Sequence, residues 1–154
     1  MTRYEELLEE AEKAGVKVLE ISMNAFDGLY ANGVIFINTD LETNAEKTCV
    51  LAEELGHHYT VVGNIIDQRD GWNRHEEAIG RRYAYRRLLG FDQLMAAYHR
   101  CAANLYEMVE FLEVTTAFFE EAMHYYKVCY GAYRDYNEMR IYFEPFRVEQ
   151  IQVI

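Results

Sequence analysis

The spacing of apolar positions changes several times along the first sixty residues, and each change predicts an element. Between Tyr4 and Ala14, Leu7, Leu8 and Ala11 recur at helical spacing among many acids. This predicts an amphipathic helix closed by Gly15. Val16-Lys17-Val18-Leu19-Glu20-Ile21 then alternates, as a strand with one buried face does. Asp27 to Asn38, DGLYANGVIFIN, reads as a hairpin. Its Asn32-Gly33 dipeptide tolerates positive φ at both positions, and Val34 to Ile37 has the β-branched and aromatic content of a buried strand.

Thr43-Asn44-Ala45-Glu46 has capping-box spacing and opens the next helix. Val50, Leu51, Leu55 and His58 form one stripe, with Cys49, Ala52, Glu53, Gly56 and His57 on the adjacent face. Gly56 costs a mid-helix position up to about 1 kcal/mol relative to Ala, so a close approach is expected there. Val61 to Asn73 reads as a turn-rich connection, and a helix follows from about Asn73 to Leu89, closed by Gly90. Helices are predicted from Phe91 to about Arg100, from Leu105 to Glu113, and from Thr116 to Cys129 with Thr115 as N-cap. Arg140 to Phe146 alternates like a strand, with the one proline near its end. The expected architecture is α+β, mostly helical with a small β-sheet and a helical C-terminal half. A single domain over 1–154 is expected, with about 1–90 as core and about 91–154 as a helical part ending in a strand.

Composition narrows the function classes. The formal net charge is −11. Binding a phosphate backbone needs basic surface, so direct nucleic-acid binding is disfavoured. No apolar run approaches the roughly 20 residues of a membrane helix, and the charged N-terminus is unlike a signal peptide. Three widely spaced cysteines, Cys49, Cys101 and Cys129, form no CxxC site and no disulfide framework. A reducing, cytoplasmic setting fits that usage. The arginines from Arg81 to Arg87 read as a solvated face pairing with nearby acids, and His99 and His124 as packing or surface residues. The acidity of the 105–129 helix pair argues for protein contact or plain packing over a DNA groove.

The candidate chemistry lies in Thr48 to Thr60, TCVLAEELGHHYT. On a helix, Glu53 and His57 share a face four residues apart, with Glu54 beside them. This is the layout of the HExxH metalloprotease helix, in which the i and i+4 side chains hold a metal and the intervening Glu activates water. Glu53 stands where that motif has its first His. A catalytic site needs a third ligand from elsewhere. Glu77 lies 20 positions after His57 on the following helix, with Glu76 as its neighbour.

CVLAEELGHHYTVVGNIID, the later EEAIGRRYAYRRLL, and LEVTTAFFEEAMHYYK with IYFEPF resemble the ImmA/IrrE metallo-endopeptidases, most of all the small members carried by phages and integrative elements. The resemblance implies a zincin-like fold and an activity directed at a helix-turn-helix repressor. It implies His57 as a metal ligand, Glu54 as general base and Glu77 as third ligand. Glu77, Gly80, Tyr83 and Ala84 follow the E-x-x-A-x-x-aromatic-A helix of the family, with Gly in place of the first Ala. A Glu53/His57/Glu77 set would place two carboxylates on Zn²⁺. That lowers its Lewis acidity and shifts preference toward harder ions such as Mn²⁺. Three alternatives stay open: His58 or His75 supplies a second nitrogen, Glu76 replaces Glu77, or the domain binds its partner without metal.

Overall fold

The computed structural model describes residues 1–63, 70–102 and 104–152, with side chains described at these positions except 61–63 and 70–76. It is an α+β fold, and its contacts divide it into two compact units, Met1–Leu88 and Leu89–Ile154. No helix among the described residues is long and apolar enough to cross a membrane.

The first unit sets three helices beside a three-stranded sheet. Helix α1, Arg3–Lys13, starts at a capping box in which Thr2 and Glu5 satisfy each other's backbone donors. It stops because Gly15 takes φ +77, letting Val16 N–H donate back to Ala11 O at 2.9 Å. Strands β1 (Lys17–Ile21), β2 (Gly28–Ala31) and β3 (Val34–Asn38) follow in the order β1-β3-β2, with β1 parallel and β2 antiparallel to the central β3. The β2–β3 turn is the expected Asn32-Gly33, with φ of +50 and +80. Ile35 and Ile37 are fully buried, as the content of β3 predicts.

Val16 is buried and Val18 half-buried, so the one buried face expected of this strand falls on the valines. In register with β3, Val18 and Glu20 lie on the side of Ile35 and Ile37, while Leu19 and Ile21 share the opposite side with Phe36. Leu19 and Ile21 are 36% and 42% exposed. Alternation identifies a strand, but the layer above it selects the buried face. Glu20 is held there by Tyr4 Oη at 2.8 Å and Lys47 Nζ at 3.1 Å.

Helix α2, Asn44–Gly63, starts as expected, with Thr43 Oγ1 accepting from Glu46 N–H at 3.1 Å. Leu51, Ala52 and Leu55 are fully buried in it. Of the expected connection from Val61 to Asn73, 61–63 belong to α2 and 70–73 to α3, and 64–69 lie outside the described residues. Helix α3, Asp70–Leu88, begins earlier than its apolar spacing suggests. Glu10 of α1 ties these helices together: Tyr83 Oη donates to its carboxylate at 2.8 Å, Tyr59 Oη at 3.4 Å and Arg87 Nε at 3.0 Å.

In the second unit, α4 (Phe91–Cys101), α5 (Leu105–Leu112) and α6 (Thr116–Tyr130) precede a sheet of β4 (Tyr133–Tyr136), β5 (Met139–Phe143) and β6 (Phe146–Gln150), a simple antiparallel meander. Gly90 is the N-cap of α4, and Thr115 caps α6 by accepting from Phe118 N–H at 3.1 Å. The sequence reading places one strand here, where the structure has three. The β4–β5 turn carries positive φ at Asn137 and Glu138. Glu is rare in that conformation, so the dipeptide hides the turn. Phe91 packs its ring against Tyr126, Tyr130, Tyr136 and Phe143.

Candidate functional site

Helix α2 packs against both β2 and α3, and Glu54, His57 and His58 meet different parts of that surround. Glu54 is buried, and its Oε2 lies 3.1 Å from His57 Nδ1 one turn later. Its other oxygen faces β2: a Cβ at Gly28 would stand 3.3 Å from Glu54 Oε1 and would overlap Val50 Cγ1. A glycine inside a strand marks a close approach, and here it brings β2 onto the carboxylate. β2 is an edge strand of its sheet, so one side of its backbone has no strand partner among the described residues.

His58 turns to the β2 side. Its Nδ1 lies 2.8 Å from Tyr30 Oη, with the rings edge to face at 5.4 Å. Tyr30 Oη also accepts from Gly33 N–H at 3.2 Å, which leaves its own proton for His58. Burial pushes the His58 imidazole below its ordinary pKa, toward the neutral form. Tyr30 did not stand out among 13 tyrosines in the sequence. Its position two residues after Gly28 on the same strand face is the signal that locates it.

His57 turns to α3. A Cβ at Gly80 would overlap its ring at Cδ2 and Nε2 and stand 3.0 Å from Glu53 O. A Cβ at Gly56 would stand 2.9 Å from Gly80 Cα, Gly80 O and Tyr83 Cβ. The close approach expected at Gly56 is therefore that of α3 itself. Two glycines meet, and the space of the missing Gly80 side chain holds the imidazole.

Glu77 stands one turn before Gly80 but faces solvent. Its side chain is 64% exposed and pairs with Arg81 at 3.2 Å. Glu53 is half-buried on α2. The side chains of His75 and Glu76 lie outside the described residues. Among the described residues, no three of His, Cys, Asp and Glu stand close enough to hold one metal ion. One imidazole with carboxylates is a donor set that suits Zn²⁺ or Mn²⁺. Among the described residues, the arrangement brings Glu54 and His57 together. Elsewhere, His124 is a surface residue paired with Glu144 at 2.8 Å, and Cys49, Cys101 and Cys129 form no disulfide among the described residues.

A buried carboxylate one helical turn from an imidazole, beside a strand edge, is the core of a metallopeptidase-like module. No curated protein matches the chain. The family model of the IrrE N-terminal-like domain, peptidase M78, matches residues 11–134. That span takes in the sheet, α2, α3 and the Glu54–His57 pair, and on it the chain belongs to the IrrE N-terminal-like domain family of M78 peptidases.

Proposed function

We propose that the chain is a metal-dependent endopeptidase acting in the cytoplasm on a helix-turn-helix repressor, with Glu54 as general base. The observation that carries this reading is the buried Glu54 carboxylate, 3.1 Å from His57 Nδ1 and against Gly28 of an edge strand. A repressor segment in extended form would add to the open side of β2, where backbone hydrogen bonds hold it over the carboxylate. Glu54 would take the proton of the attacking water, and His57 would hold Glu54 in place through Nδ1. His57, Glu53 and Glu77 are the residues proposed to hold the ion, with Glu77 leaving Arg81 to do so. A bound divalent ion would supply the Lewis acid that polarises the scissile carbonyl and eases loss of a proton from water. His58, already held by Tyr30, serves as support for β2.

A second reading has its own support. Glu77 is engaged by Arg81, and Glu53 stands where the motif has a histidine. On this reading the domain holds the repressor without cutting it. The experiment that separates the two is Zn²⁺ and Mn²⁺ titration of the purified chain, combined with cleavage of a purified helix-turn-helix repressor. We expect stoichiometric uptake by the wild type. Glu54→Gln should keep the uptake and lose about 10²–10⁴-fold in cleavage. Equal cleavage by Glu54→Gln would sink the role of Glu54. Repressor binding with neither metal uptake nor cleavage would establish the second reading.

A further inference from the structure

The second unit carries an apolar cavity that the chemistry of Glu54 does not use. It has a volume of about 510 Å³, between α5, α6 and the β5–β6 turn. Met108, Phe119, Met123 and Phe143 form its floor, each 3% exposed or less. Two methionines beside two aromatic rings make a floor that adapts its shape to large apolar side chains. The charged residues lining the cavity are two carboxylates, Glu120 and Glu144. Glu144 is compensated by His124 at 2.8 Å and Lys127 at 3.9 Å. Glu120 is exposed and has no ion-pair partner among the described residues. Helix α5 and its C-cap also carry Glu107, Glu110 and Glu113, and α6 carries Glu121, against Lys127 as the one lysine or arginine of 105–130.

From this juxtaposition we propose that the cavity is a docking site for a cationic segment of a protein partner. One large apolar side chain of that segment fills the cavity, and a neighbouring Lys or Arg pairs with Glu120. Charge complementarity selects the occupant. An acidic ligand would meet the exposed Glu120 and the acidic excess of these helices, a repulsion that a cationic ligand avoids. A purely apolar ligand would leave Glu120 beside it unpaired and partly desolvated. The apolar anchor supplies the affinity, and the cation supplies the orientation. The site serves a partner that is cut and one that is only held, so it does not depend on the metal chemistry of the first unit.

The test is fluorescence anisotropy of the full chain with a short labelled peptide of alternating Leu and Lys blocks as probe. Two control peptides carry Glu for Lys, or Ser for Leu. We expect saturable binding of the first peptide, and each control weaker by about tenfold or more. Glu120→Lys should weaken the probe by about tenfold, and Leu105→Trp, at the half-exposed rim, should weaken it by crowding the cavity. Glu9→Lys makes the same charge change on the exposed face of α1 and should leave binding unaltered. Circular dichroism checks that each variant is folded. If Glu9→Lys weakens binding as much as Glu120→Lys, net charge alone attracts the peptide and the site is refuted. Equal binding of the Ser peptide, or no binding of the probe, also overturns it.

Discussion

Single residues set the geometry of the Glu54–His57 pair, and glycine does so by what it lacks. In an open helix, Gly→Ala adds up to about 1 kcal/mol of stability. At Gly80 the added methyl meets the His57 ring at Cδ2 and Nε2, and overpacking of this kind costs about 1–3 kcal/mol. The second effect wins, so Gly80→Ala should lower stability by on the order of 1–2 kcal/mol. It should also displace the imidazole from Glu54. The urea midpoint measures the first effect, and the chemical shifts of the His57 ring the second. A raised midpoint would mean that the ring swings aside at no cost. Glu20 makes a different prediction. Its carboxyl is held below its ordinary pKa of 4.5, first by the hydrogen bond from Tyr4 and then by that from Lys47. A lowered folded pKa adds stability that is present above the ordinary value and lost as pH falls through the folded one. The side chain is 41% exposed, so the effect is small. The stability gap between wild type and Glu20→Gln should be open at about pH 7 and shrink as pH falls below 4.5, by urea unfolding at each pH.

Between elements, polar contacts divide into those that join helices and those that decorate one. Glu10 accepts from Tyr83 at 2.8 Å, from Tyr59 at 3.4 Å and from Arg87 at 3.0 Å, which joins α1 to α2 and α3. Burial and then Glu10 push the Tyr83 hydroxyl well above its ordinary pKa, so it stays a donor throughout the range in which the protein is folded. Hydrogen bonds to a charged acceptor are worth about 1.5–3 kcal/mol, so Glu10→Ala should cost about that much. Arg81 is the contrast. Its pair with Glu77 lies within one helix, with both side chains about half exposed or more. Arg81→Ala should change stability by less than about 0.5 kcal/mol. Equal losses from the two substitutions would show that the Glu10 cluster does not join the helices. The strand elements follow the same division. β1 gives its carboxylate to Tyr4 and Lys47 of the helical layer and turns Leu19 and Ile21 outward.

At the scale of the whole chain, the excess of 26 acidic over 15 basic residues is the dominant long-range feature. Such an excess destabilises the compact state by self-repulsion, and salt screens it over about 10 Å at 0.1 M. The thermal midpoint should therefore rise from low salt to about 0.15 M sodium chloride. A falling midpoint would mean that attractive pairs such as Arg87–Glu10 outweigh the repulsion. The same excess suits the chain to a basic protein partner, as a repressor that binds DNA would be.

Much was legible along the chain because it is local. Thr43 and Thr115 cap their helices, Gly15 ends one, and Asn32-Gly33 turns the hairpin; each acts within a few residues. The likeness to the IrrE family was legible for the same reason, since ELGHHY and its neighbours lie on one helix. Contacts between elements are not written in spacing. The buried face of β1, the short strands around Asn137-Glu138, and the pairing of Glu77 with Arg81 depend on which layer or side chain arrives from elsewhere. The sequence by itself determined that Glu53, Glu54, His57 and His58 share one helix. Tertiary structure decided what Glu54, His57 and His58 meet beyond that helix, because β2 comes close at Gly28 and brings Tyr30 to His58, and α3 comes close at Gly80 and encloses the His57 ring.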